Sequence, residues 1–202
     1  MSNNFYKKIQ GFTDFLIEKT ILFLIPSWLT PNLLSWIRIF LIPLILLFIK
    51  INYWLGALII FLIAALLDSL DGTLARKRQQ ISQEGLIIDP LADKLLIGLI
   101  LLLIIFDYPF ISLILSIIGL EASIIFLAFL KIKNSKEIPR PANIWGKIKM
   151  LLQSMGVLFI LLWKIFKFNQ FLSLSAISLW LSLVFLILSA LDFTWNKKLY
   201  NK

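Results

Sequence analysis

The sequence contains no cysteine and no histidine among its 202 residues. This excludes disulfides, thiol nucleophiles, zinc–thiolate sites, imidazole bases and phosphohistidine intermediates. Charged residues are also scarce: they make up 15% of the chain, against about 25% in a typical soluble domain, whereas apolar residues make up 60%. The composition is typical of a membrane protein whose chemistry must come from carboxylates, hydroxyls, Lys and Arg.

Six apolar stretches are long enough for membrane-spanning helices, which need about 20 residues each. Short polar breaks separate them, and they lie at residues 33–50, 52–75, 86–106, 109–131, 145–166 and 170–192. Six spans use most of the apolar residues, so the chain has no room for a second domain. We expect one all-α polytopic membrane domain over residues 1–202, with a six-helix bundle at 28–192 and a cytoplasmic tail at 193–202.

The segment before the first span, residues 1–27, has the pattern of a helix lying on the membrane surface. Its apolar residues Phe5, Ile9, Phe12 and Leu16 recur at helical spacing, and charged residues lie elsewhere around the helix. Charges also interrupt the apolar stretch, so the segment is not a cleavable signal peptide. The sequence predicts an N-terminal cytoplasmic amphipathic helix.

The net charge of +9 comes from Lys and Arg residues concentrated on one side of the predicted bundle. Most of them lie in the N-terminal segment, the second and fourth loops and the tail, which share one side of the membrane if the chain has six spans. By the positive-inside rule that side is the cytoplasm. We interpret the charge as a topology signal and an anchor for anionic membrane lipids, with no nucleic acid as partner. The absence of a transit-like segment favours a bacterial-type inner membrane.

Four of the eleven acidic residues lie at the cytoplasmic ends of the second and third spans: Asp68, Asp71, Asp89 and Asp93. The first two are three residues apart and the last two are four apart, so each pair shares one helix face. Two neighbouring antiparallel helices would then direct four carboxylates to a common point. Such an all-oxygen group suits two Mg²⁺ or Mn²⁺ ions, a device used in phosphoryl transfer.

Residues next to these acids suit a phosphate-bearing ligand. Gly72, Ala75 and Gly85 lack bulk, so a nucleotide or pyrophosphate could approach the backbone, and Arg76 could bind a phosphate through two nitrogens. Taken singly, small residues in spans more often serve helix packing, and an Asp pair at a helix end often pairs with a neighbouring cation. The combination favours a functional site.

Residues 68–93 read D-x-x-D-G-x-x-A-R-(x8)-G-x-x-x-D-x-x-x-D, which resembles the signature of the CDP-alcohol phosphatidyltransferase family. The segment 29–38, which ends in Arg38, resembles the start of that family's first span. The resemblance implies an amphipathic helix followed by six spans, a homodimer, and transfer of a phosphatidyl group from CDP-diacylglycerol to an acceptor alcohol with release of CMP.

The resemblance also implies roles for individual residues. Asp68, Asp71 and Asp89 would bind two divalent ions, and Asp93 would be the general base and contact one of them. The residues that would line the CDP-lipid site are Thr30, Pro31, Asn32, Leu33, Gly72, Ala75, Arg76, Ser82 and Gly85. Thr30 to Leu33 and Ser82 are equally typical of a span start and a loop.

The acceptor is suggested by the runs 89–94 and 146–149, which resemble the branch of the family that uses glycerol 3-phosphate. Arg140, Lys147 and Lys149 would bind the acceptor's phosphate. Their alternative role is positive-inside anchoring. Cardiolipin synthases of the same fold share the first run, so phosphatidylglycerol is the alternative acceptor.

Two positions depart from that branch. Leu120 precedes Glu121 where Arg-Glu is usual, and Ala128 stands near the place of a second Arg. Glu121 is therefore an acid within the fourth span, and we expect a cation from another span to pair with it.

Two further classes of function use the same residues differently. A divalent cation transporter would need polar residues that continue through the spans to the far side, and beyond Glu121 the predicted spans have no such series. A structural membrane scaffold predicts that alanine at Asp68 and Asp89 changes little beyond stability. The absence of histidine also excludes phospholipid synthases of the phospholipase D type, which work through a phosphohistidine.

Overall fold

The computed structural model describes residues 30–77, 85–135 and 144–200, and near several helix ends it describes the backbone alone. The predicted amphipathic helix at 1–27 lies outside these residues. The described ranges contain no strand. They form six α-helices and one short 3-10 helix: α1 (Pro31–Lys50), α2 (Trp54–Lys77), α3 (Gly85–Leu103), the 3-10 helix (Ile105–Asp107), α4 (Ile111–Ser135), α5 (Ile144–Phe166) and α6 (Asn169–Tyr200).

The helices coincide with the six apolar stretches, as predicted. Among the described residues, four segments are long and apolar enough to cross a membrane: Pro31–Lys50, Trp54–Asp71, Ile144–Phe166 and Asn169–Leu191. A shorter apolar helix occupies Ile111–Phe126 of α4. Large apolar side chains such as Phe40 and Leu151 lie exposed on the outside of these helices, as expected where lipid replaces water. The chain is a polytopic helical membrane protein.

Local sequence explains where α1 begins and ends. Thr30 caps the helix, because its hydroxyl accepts a hydrogen bond from the backbone N–H of Leu33, and Pro31 supplies a first-turn φ without needing a donor. The chain reverses after Lys50 through Asn52, whose φ of 59° is one that asparagine tolerates. This turn starts α2 antiparallel to α1.

The last helix extends beyond the last predicted span. α6 continues through residue 200, so positions 193–200 of the predicted cytoplasmic tail are helical. They contain no Gly or Pro that would stop the helix.

On the side of the acidic residues, α1 joins the two helices that carry them. α1 packs against both α2 and α3, whereas α2 and α3 make at most marginal contact within the described residues. Within the described residues, α1 therefore connects the two acid-bearing helices. α5 and α6 form the closest pair: a Cβ added at Gly156 would lie 2.6 Å from Leu179 Cδ2.

The opposite end of the bundle is joined by polar contacts between loops and helices. Lys164 of α5 pairs with Asp107 at 3.3 Å. The buried Tyr108 hydroxyl lies 2.8 Å from Ser175 Oγ on α6, and Ser175 in turn donates to the carbonyl of Leu172. These contacts attach the α3–α4 connection to α5 and α6.

Replacing Tyr108 by Phe should lower the free energy of unfolding by about 1 kcal/mol, because one buried hydrogen bond is lost. Burial raises the pKa of the Tyr108 phenol. The contribution should therefore be complete below about pH 10, the ordinary tyrosine pKa, and should disappear as the pH rises through the raised value. Thermal unfolding in detergent against pH measures this, with the exposed Tyr53→Phe as control. Equal unfolding temperatures for the two variants would contradict it.

Candidate active site

Three of the four predicted carboxylates converge on one arginine. Arg38 of α1 is fully buried, and its Nη1 lies 2.9 Å from Asp68 Oδ1. The same nitrogen also donates to Asp93 Oδ1 of α3, while Nη2 donates to Asp71 Oδ2 of α2. A single guanidinium on α1 therefore links the acids of α2 to the acid of α3. The three carboxylates face one point, as the spacing predicts.

Ser35 extends this cluster by one helical turn. Its hydroxyl lies 3.4 Å from Asp71 Oδ2 and 3.3 Å from the carbonyl of Pro31, so it lies between the acid and the first turn of α1. Asp71 is 5% exposed and Asp68 is 49% exposed. The cluster thus has a closed side at Asp71 and an open side at Asp68, and a water-soluble group could reach it from the open side.

The predicted CDP-lipid residues are only partly described. Thr30, Pro31, Asn32 and Leu33 form the N-cap and first turn of α1, beside the Ser35–Asp71 contact. Other predicted residues lie on described helix backbone without described side-chain surroundings: Gly72, Ala75, Arg76, Gly85 and Asp89. Ser82 and Arg140 lie outside the described residues.

A second polar cluster lies between α4 and α5. Glu121 Oε1 accepts from Lys149 Nζ at 2.5 Å and from Gln153 Nε2 at 3.1 Å. The prediction that Glu121 pairs with a cation from another span is confirmed. Lys149 and Gln153 are buried, whereas Lys147 is exposed at the start of α5. Of the predicted acceptor residues, Lys149 is therefore engaged by an acid inside the bundle.

Comparison with known proteins decides the family. Residues 28–188 match the family model described as CDP-alcohol phosphatidyltransferase. The chain belongs to this family. It is 34% identical over 171 residues to a protein of Aquifex aeolicus (strain VF5), covering 81% of this chain and 93% of that protein. It is 28% identical over 180 residues to a Bacillus subtilis (strain 168) protein, covering 81% and 92%. Both carry the name CDP-diacylglycerol--glycerol-3-phosphate 3-phosphatidyltransferase.

Within this CDP-alcohol phosphatidyltransferase, Arg38 and Ser35 are site residues that the sequence reasoning did not assign. A signal was present for Arg38, because an arginine inside an apolar span is costly and needs an acidic partner. Its partners come from α2 and α3, and spacing within one helix does not reveal contacts between helices. Ser35 gave no comparable signal, since a serine in a span commonly bonds to its own helix backbone.

The carboxylates of this phosphatidyltransferase have the donor chemistry that Mg²⁺ and Mn²⁺ require, since these ions prefer oxygen donors. Among the described side chains no group of three acids is close enough to hold one ion together. In the conformation described, three carboxylates are instead arranged around the guanidinium of Arg38. The donor set fits the ions by its chemistry.

Lys149→Met should destabilise the protein by about 1–2 kcal/mol, the upper range for polar contacts between membrane helices. The cause is that Glu121 loses its cation. The double variant Glu121→Gln with Lys149→Met removes both charges and should recover most of the loss. Thermal unfolding of the two single variants and the double variant measures the coupling. Strictly additive effects would contradict the pairing as a source of stability.

Proposed function

We propose that the protein transfers the phosphatidyl group of CDP-diacylglycerol to glycerol 3-phosphate and releases CMP, as a step of phospholipid biosynthesis. The observation that carries the proposal is the convergence of Asp68, Asp71 and Asp93 on Arg38 in a chain of this family. The names of relatives that match over most of their length support the choice of substrates.

The proposed reaction is a direct displacement at phosphorus. The acceptor's hydroxyl oxygen forms a bond to the β-phosphorus of CDP-diacylglycerol while the bond from that phosphorus to the bridging oxygen breaks. The electron pair leaves with CMP, and the Asp93 carboxylate takes the hydroxyl proton as general base. Arg38 orients Asp93 and balances its charge. None of these steps needs histidine or cysteine.

We assign two divalent ions, Mg²⁺ or Mn²⁺, to Asp68, Asp71, Asp89 and Asp93. When bound, such ions neutralise the charge of the pyrophosphate and stabilise the attacking and leaving oxygens. The half-exposed Asp68 offers an approach from the aqueous side.

The CDP-lipid is proposed to lie along the acid-bearing ends of α1, α2 and α3. Thr30 to Leu33 lie at the first turn of α1. Ser35 contacts both the carbonyl of Pro31 in this turn and Asp71 of α2, which supports the assignment. The small residues and the arginine of the motif complete the proposed site: Gly72, Ala75, Arg76, Ser82 and Gly85.

The acceptor's phosphate is proposed to bind Lys147 and Lys149 at the start of α5, together with Arg140, which lies outside the described residues. Glu121 holds Lys149 at this level of the bundle.

The remaining proposals concern assembly and location. The protein would be a homodimer in a bacterial-type inner membrane, with an amphipathic helix, six spans that include α3 and α4, and an active site on the cytoplasmic side. Anionic lipids would contact the basic loops.

Product identification with a panel of acceptors tests this function. The purified protein is incubated with CDP-diacylglycerol, Mg²⁺ and one acceptor, either glycerol 3-phosphate, phosphatidylglycerol or glycerol. The lipid products are then identified by mass spectrometry. We expect phosphatidylglycerophosphate from the first acceptor alone. Cardiolipin as the only product would show that the acceptor is phosphatidylglycerol and that the protein is a cardiolipin synthase. If no acceptor gives a product and the protein carries metal ions into proteoliposomes, the protein is a cation transporter and the proposed enzymatic function is wrong.

A further inference from the structure

A cavity of about 170 Å³ lies between α3 and α4, next to the Glu121 cluster. Lys94, Glu121 and Gln153 form its polar end. The wall below them is apolar and runs along α3 through Ile97 and Leu101. Leu101 lies seven positions after Lys94 on the helix, which gives this wall a length of about 10 Å.

The cavity opens on the outer surface of the bundle. Ile125, which lines it near the polar end, is 45% exposed, and Ala122 one turn earlier is also exposed. Gly98 leaves the middle of the groove open, because a Cβ added there meets no atom within 4 Å. In a bilayer this opening faces lipid chains.

Among the described side chains, the polar end of the groove has more positive than negative charge. Glu121 is occupied by Lys149 and Gln153. Lys94 is half-buried and close enough to Glu121 and Lys149 to interact with both through space. Within the described part of the chain, Lys94 nevertheless has no acidic oxygen within 4.0 Å of its ammonium. Two cations thus share one carboxylate, and an ammonium at membrane depth favours an anionic partner.

We infer that this groove binds an anionic phospholipid, with its phosphate at Lys94 and one acyl chain along Ile97, Gly98 and Leu101. A free phosphate would satisfy the ammonium but leave the apolar wall without a partner. A zwitterionic lipid would fill the wall but bring a second cation to a site that already has one in excess. The groove lies between α3 and α4, beside the Lys149 that we propose for the acceptor's phosphate, and lipid binding there needs no turnover.

Photo-crosslinking with lipids in nanodiscs tests the site without any turnover. The full chain is reconstituted with phosphatidic acid that carries a diazirine in one acyl chain, or with phosphatidylcholine labelled in the same way. Crosslinked peptides are then mapped. We expect the residues 94–101 and 117–125 to be labelled about fivefold more strongly by phosphatidic acid, the factor that one Lys contributes to anionic-lipid binding.

Three variants separate the two parts of the site. Gly98→Phe fills the groove and should abolish the labelling, whereas the matched Gly119→Phe on α4 should leave it unchanged, since a Cβ there also meets open space but lies outside the groove. Lys94→Met should lower phosphatidic acid labelling to the phosphatidylcholine level.

Four results would overturn the inference. They are equal labelling by the two lipids in the wild type, unchanged labelling in Gly98→Phe, loss of labelling on addition of inorganic phosphate alone, and protein–protein crosslinks at these residues in place of lipid crosslinks. The last result would assign the groove to a second copy of the chain.

Discussion

Asp93→Asn is expected to reduce CMP release by about 10²–10⁴-fold, the range that a general base contributes. The amide keeps the size of the side chain but cannot accept the acceptor's proton. Binding of CDP-diacylglycerol should change little, because the other three motif carboxylates remain. The measurement pairs a CMP assay with equilibrium binding of the CDP-lipid in the absence of acceptor.

The matched control for Asp93→Asn is Asp107→Asn at the opposite end of the bundle. Asp107 is exposed and pairs with Lys164, so the same chemical change there should leave CMP release unaltered. Because Asp93 also accepts from Arg38, the unfolding temperature of each variant must be recorded. A folded Asp93→Asn protein with normal turnover would refute the assignment of Asp93 as the base.

Arg38→Met is expected to cost about 3–5 kcal/mol of stability, the typical result of removing one partner from a buried ion pair. The guanidinium is fully buried and serves Asp68, Asp71 and Asp93 together. Water already screens the half-exposed Asp68, so most of the loss comes from the other two acids. Thermal unfolding in detergent, with and without Mg²⁺, is the measurement.

Addition of Mg²⁺ should restore part of the stability of Arg38→Met, because the ion supplies positive charge to the same carboxylates. Arg38→Lys is the control: it keeps the charge but has one nitrogen where Arg has two that bridge, so it should fall between wild type and Arg38→Met. Wild-type stability in Arg38→Met would show that the carboxylates do not depend on this arginine.

The helices could be predicted from the sequence because each apolar stretch is bounded by polar breaks that a span cannot contain. The apolar pattern did not indicate how far the last helix runs. Residues 193–200 continue α6 beyond the last predicted span, since the end of an apolar stretch marks the end of a span and not the end of a helix. The segment contains no Gly or Pro, the residues that typically stop a helix.

The carboxylates could be predicted because their spacing within α2 and within α3 fixes a common face on each helix. The order of packing could not, since it depends on which helices fit together. α1 packs against both α2 and α3, and only this placement brings Arg38 to Asp71 and Asp93. Glu121 could be predicted in part. Its position within an apolar span indicated that it needs a cationic partner, but only the structure shows that the partner is Lys149.

The most direct test of the account is CMP release from CDP-diacylglycerol by the purified full chain, measured with Mg²⁺ in the presence and absence of glycerol 3-phosphate. The account predicts CMP formation that requires both the metal and the acceptor, because the acceptor's hydroxyl attacks the phosphorus directly. Absence of CMP under all conditions, or CMP formation at the same rate without the acceptor, would contradict it.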